Sequence, residues 1–201
     1  MSENVKKEWE DFLNPDRMRS NLISASIYIA AYESLKDAII SRAREMYWTG
    51  WSKDEGDIID TKYKSEVLSR NRSRLYASFD WLCERGAVTY ADLAILDRVK
   101  TCRNHLAHSL FYFLCNEGMP PNFEQCFSEM VELLHKIEKW WIVNVEIAIN
   151  PNICPDDVDV DSIIPGRIIG IRLMCDIALG SEDKSGYYYE EFKKRYKDLD
   201  D

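Results

Sequence analysis

Glycine and proline are scarce, 8 and 6 in 201 residues, which excludes fibrous repeats and wholesale disorder. No apolar run approaches the ~20 residues that a membrane-spanning helix requires. The charged stretch Met1 to Glu10 has nothing like the apolar core of a secretory leader. These absences predict a soluble cytoplasmic protein with no membrane partner. No GxGxxG, GxxxxGK[ST] or GxSxG occurs, and glycine is too sparse for a phosphate-cradling loop. Rossmann, P-loop and hydrolase-elbow chemistries are therefore set aside. The six cysteines (Cys83, Cys102, Cys115, Cys126, Cys154, Cys175) fall singly, with no CxxC. A disulfide scaffold would be denser and a zinc ribbon would pair them, so reduced thiols packed as small apolar groups are expected.

Positive charge is also short. The chain carries 26 Lys+Arg against 35 Asp+Glu, a net −9, which argues against a protein coated for duplex nucleic acid. The deficit is uneven. Residues 62–103 sum to +4, while 1–61, 104–149 and 150–201 sum to −4, −4 and −5. Arg70, Arg72, Arg74, Arg98 and Lys100 form the core of this basic strip, which could meet an RNA backbone while the acidic remainder discourages indiscriminate binding. A solvated helix face is the plainer reading.

What the sequence does have is helical punctuation. Asn14-Pro15-Asp16 supplies a cap, a first-turn proline and an early acid. Apolar residues then recur at helical spacing from Arg17 to Tyr47. Residues Trp48 to Asp60 read as a loop. A second helix is predicted over Tyr63 to Arg85, stopping near Gly86, and Thr89 with Asp92 resembles a capping box opening a third, to about Cys115. After Gly118-Met119-Pro120-Pro121, Asn122 caps a fourth, Phe123 to Ile149. No alternation suggests a strand. The expected fold is all-α: an antiparallel four-helix bundle over residues 1–150. A C-terminal helical appendage over 151–201 follows, comprising an acidic linker, a short apolar helix (Ile163 to Leu179) and a charged, Tyr-rich tail.

Metal sites are weakly supported. Glu132-Leu-Leu-His135 has di-iron spacing but no second copy. Cys102, His105 and His108 step ~60° around a helix and converge poorly on one ion. No metal and no cofactor are expected.

The informative segment is Leu96 to Leu110. On a wheel of ~100° per residue, Arg103 falls at the centre of the stripe formed by Leu96, Val99, Leu106 and Leu110. A buried guanidinium requires a carboxylate, a helix end, a second subunit or a ligand anion. Arg103 and His108 stand ~140° apart around the axis and ~7.5 Å along it. One helix would struggle to aim both at one atom, whereas two copies about a two-fold axis could form a shared cleft.

Arg103-Asn104-x-x-x-His108 resembles the Arg-(polar)-x(3–5)-His signature of HEPN domains, late in a bundle helix as that family carries it. The resemblance spans roughly residues 15–150 as architecture and only these residues as a motif. It implies a metal-independent endoribonuclease, or a catalytically degenerate RNA-binding relative. Such proteins are usually homodimeric and occur in toxin–antitoxin and antiviral defence systems, so an antitoxin or defence-system protein is a further expected partner. A branch of the family continues the motif to a tyrosine that is modified; Leu110 stands at the matching position here. The site expected from the motif is Arg103, Asn104 and His108. His108 would move protons, Arg103 would meet the phosphate, and Asn104 would hold the imidazole or the phosphate. RNA would be cut by its own 2′-hydroxyl to a 2′,3′-cyclic phosphate and a 5′-hydroxyl. Two non-catalytic alternatives stand beside this: an RNA- or nucleotide-binding dimer, and a protein-interaction module in which Arg103 pairs with an acid of another helix, Glu33 being the one to check.

Overall fold

Asn14 ends one helix and starts another. In the computed structural model, which describes residues 3–116, 118–150 and 159–196, α1 covers Glu3–Leu13 and α2 covers Pro15–Glu45. The Asn14 side chain accepts from the backbone N–H groups of Asp16 and Arg17, each at 3.0 Å. Pro15 takes the first helical position, where its missing N–H costs nothing.

The expected loop 48–60 is instead an antiparallel hairpin, β1 (Trp48–Ser52) and β2 (Gly56–Ile59). The period-2 signal that would have announced it is broken by a register shift between Trp48 and Gly50. The single helix expected over Tyr63 to Arg85 is also divided. A short α3 (Lys62–Glu66) and a 3-10 turn (Leu68–Arg70) precede α4 (Arg74–Glu84). Gly86, at φ 73°, ends α4 in a conformation that residues with a Cβ adopt at a cost.

Helix α5 (Tyr90–Asn116) opens on the anticipated capping box, with Asp92 accepting from the Thr89 N–H at 2.7 Å and the Thr89 hydroxyl at 2.9 Å. It is broken at Ser109, whose φ −130° and ψ 15° are not helical. Helix α6 (Phe123–Trp141) runs into a π-turn (Ile142–Glu146) and a last short turn, α7 (Ile147–Ile149). After residues 151–158, which lie outside the described residues together with Cys154, Asp156 and Asp157, come α8 (Gly166–Leu179) and α9 (Glu182–Tyr196).

The fold is thus mainly all-α, with one small two-stranded sheet among the described residues. The long α2 is its axis and packs on α4, α5, α6 and α8. Tyr28, Leu35 and Ile39 of α2, Phe79 and Trp81 of α4, Leu96 and Leu106 of α5, and Met130, Leu134 and Ile137 of α6 are fully buried together. The C-terminal part is attached rather than free. Ile168 and Ile171 of α8 enter the same core, and Arg167 donates to Asp37 (2.7 Å) and to the Ser34 carbonyl (3.1 Å) of α2. No helix among the described residues is long and apolar enough to cross a membrane.

Candidate functional site

The middle of α5 is pinned to α2 by apolar contact and one hydrogen bond. Leu96, Val99, Cys102 and Leu106 are buried, and the Tyr28 hydroxyl donates to the Val99 carbonyl at 3.1 Å. Arg103 sits at the edge of this contact. Its side chain keeps 29% of its exposure, so it is half-buried rather than central to the core as the wheel suggests. The guanidinium lies 5.5 Å from the centre of the Tyr32 ring. Arg103 Nη2 donates to Glu33 Oε1 at 2.9 Å, and Nη1 donates to Asn104 Oδ1 at 3.5 Å. Arg103 Nε is buried and has no acceptor among the described residues.

That orphan is informative beside two other arginines. Arg42 meets Glu138 through both Nε (3.3 Å) and Nη2 (2.8 Å), and Arg98 meets Glu129 through Nε (3.2 Å) and Nη2 (2.9 Å). Both are closed two-pronged forks. At Arg103 the second oxygen of Glu33 goes to Lys36 Nζ at 2.8 Å instead. The Nε side of the fork is left open. Hydrogen bonding to the Lys36 ammonium, followed by the Arg103 guanidinium, holds the Glu33 carboxyl below its ordinary value.

Asn104 therefore stands beside Arg103 as a guanidinium acceptor. His108 is exposed on the same helix, immediately before the break at Ser109. No hydrogen bond joins it to Arg103 or Asn104 among the described residues. Beyond the break Phe111 and Tyr112 are exposed, 77% and 55%. His105 is exposed as well, its ring centre 6.0 Å from that of Phe113.

The basic strip divides into engaged and open cations. Arg70 is held by Asp80 and Glu84, and Arg98 by Glu129. Lys100 donates to the Tyr76 hydroxyl at 3.2 Å, and that hydroxyl donates to Asp97 at 2.6 Å. Arg72 and Arg74 are exposed and form no ion pair among the described residues.

Compared with known protein families, curated proteins and solved structures, this chain matches none.

No cluster of three or more His, Cys, Asp or Glu side chains among the described residues is placed to hold a metal ion. Cys102 faces the core while His105 and His108 face solvent, and His135 lies 3.4 Å from the Ile163 carbonyl through Nε2. The five described cysteines are free thiols, and burial pushes Cys83 and Cys102 up to about 11, leaving them unreactive as nucleophiles. Sequence reasoning reached Glu33 through the demand of Arg103 for a counter-ion. It missed Tyr32 and Lys36, which carry no motif, and the buried cluster of Glu138 with Arg42 and Arg167, whose members are scattered along the chain.

Proposed function

We propose that this chain is a HEPN-type helical bundle acting as a metal-independent endoribonuclease, with RNA as substrate and a homodimer as the active form. The observation that carries the reading is the open fork of Arg103. A structural arginine closes on its carboxylate, as Arg42 and Arg98 do; Arg103 keeps a buried donor unpaired, which costs about 1–3 kcal/mol, next to an Asn and a solvent-facing His. A phosphate that displaces Glu33 from Nη2 and reaches the buried Nε would satisfy both donors with two of its oxygens.

In the reaction the 2′-hydroxyl of RNA loses its proton and its oxygen attacks the adjacent phosphorus. The bond to the 5′-oxygen breaks, and that oxygen takes up a proton. His108 serves one of these transfers within a dimer cleft, and the second copy supplies the other. Arg103 faces the charge that develops on the phosphate, and Asn104 fixes the guanidinium through Nη1. The resemblance in Arg103-Asn104-x-x-x-His108 extends the reading to a cytoplasmic toxin or antiviral effector with an antitoxin or defence-system partner. The Arg103–Glu33 pair favours a second reading, a non-catalytic binding module.

Turnover of a fluorescent RNA with chelator present separates them. Cleavage by wild type and its loss in His108→Ala, with RNA affinity retained, is the expected result. Equal turnover in His108→Ala, or no turnover by any variant, gives the site to the binding-module reading.

A further inference from the structure

The β1–β2 hairpin takes no part in the ribonuclease reading. It leaves the carboxyl end of α2 at Glu45, about 18 Å along the helix from Glu33. Trp48 pairs with Ile59, Gly50 with Ile58 and Trp51 with Asp57. Two steps of β1 therefore face one step of β2, which is a bulge at Thr49. In a regular strand, residues three apart point to opposite faces. The extra residue cancels that inversion and brings Trp48 and Trp51 to one face. The hydrogen bond from Trp48 Nε1 to Asp57 Oδ1, 3.3 Å, runs diagonally across the same face and agrees with this.

Both indoles remain open, Trp48 at 51% and Trp51 at 65% exposure. They stand two ladder steps apart, about 6.8 Å, and neither has a ring partner among the described residues. Two exposed indoles so placed on one face can hold a flat group between them. The flat groups in question are a nucleobase and a guanidinium, and charge discriminates between them. Residues 48–60 carry Lys53 against Asp54, Glu55, Asp57 and Asp60. Arg44 pairs with Asp57 at 3.0 Å, and the negative charge that remains, with Asp54 and Glu55 at the turn, repels a phosphate backbone and draws in a cation. The electron-rich indole faces act in the same direction. At the base of the hairpin a cavity of about 300 Å³ continues the aromatic surface with Trp48 and Trp81; its charges balance, Asp60 and Glu66 against Lys62 and Arg85. The chain makes this contact once for itself there, with Arg85 placed 3.7 Å from the centre of the Trp81 ring.

We propose that the bulged hairpin docks a basic segment of a partner protein, one arginine of which lies between Trp48 and Trp51 while neighbouring cations meet Asp54 and Glu55. The net charge of −9 over the whole chain favours such a partner at long range.

A fluorescein-labelled (Gly-Arg) repeat peptide tests this by anisotropy against the full chain. Saturable binding is expected, weaker for a (Gly-Lys) peptide because an ammonium lacks the planar face. Trp51→Ala should weaken the (Gly-Arg) peptide about tenfold, one cation–π contact of middling strength, and Trp51→Phe should keep most of the affinity. Trp51 is well exposed, so both variants should retain wild-type circular dichroism. Equal binding by wild type and Trp51→Ala would overturn the proposal. So would a labelled oligouridylate that loses affinity in Trp51→Ala while the (Gly-Arg) peptide does not, which would make the face a base-stacking platform.

Discussion

At Arg103 and Arg42 the same two side-chain types meet a carboxylate in different surroundings, and the difference should be measurable. Glu138 is 3% exposed and is gripped by Arg42 with Arg167 Nε 3.5 Å away. Arg42→Ala leaves a buried charge short of its main partner and should cost about 3–5 kcal/mol. The Arg103–Glu33 pair faces water on one side, so Arg103→Ala should cost no more than about 1 kcal/mol. Urea unfolding of the two variants checks this ranking; a large loss at Arg103 would mark a structural pair. Glu33 adds a pH signature. Its folded-state value is lowered from 4.5, by Lys36 first and Arg103 after, so its contribution is whole above 4.5 and disappears as pH falls through the lowered value. Thermal melts from neutral pH downward should show a shallower acid decline in Glu33→Gln than in wild type. The Arg103–Glu33 pair was legible because an Arg on an apolar stripe demands a counter-ion; Asn104 and His108 were joined to Arg103 by the motif alone. Lys36 and Tyr32 were not legible, because they become part of the site only when α2 lies against α5.

Among the elements, α8 gives the sharpest test of how the chain is put together. Ile168 is 0% exposed and belongs to the main core, so Ile168→Ala should lower global stability by about 2–5 kcal/mol in a single cooperative transition. A separate early transition confined to α8 and α9 would show instead an appendage that melts alone. The helix boundaries at Pro15 and Thr89 were legible because caps are local chemistry, written within three or four residues. At Asn122 the boundary agrees but the expected cap does not form, its side chain making no cap hydrogen bond and its φ being 58°. The hairpin was not legible. Its bulge puts Trp48 and Trp51 out of phase with any simple alternation, and the residues that anchor it lie elsewhere. Trp81 Nε1 donates to the Tyr47 hydroxyl at 3.0 Å, which donates to Glu66 at 2.6 Å. The division of the segment after Tyr63 is similarly tertiary. Asn71 and Ser73 adopt extended backbone, and Arg70 turns back onto α4.

For the molecule as a whole, engaged and open cations predict which part of the basic strip meets RNA. Arg70 and Arg98 are already neutralised by carboxylates, so releasing them to a phosphate gives up an existing pair. Arg72→Glu and Arg74→Glu should therefore reduce RNA affinity more than Arg98→Glu, and each should flatten the salt dependence by about 0.7 in the logarithmic slope for a single strand. Binding that is indifferent to salt would remove the strip from the interface. Light scattering should return a dimer mass if two copies share the cleft. The break at Ser109 carries a mechanical consequence. The distal half of α5 is clasped by α1, with Trp9 and Phe12 beside Phe111, Cys115 and Asn116, whereas the proximal half belongs to the core. His108 thus stands just before the joint between the two halves of α5, and the distal half packs against α1. A bulky tag fused ahead of α1, or deletion of that helix, would act as a lever on the imidazole from a place remote in sequence.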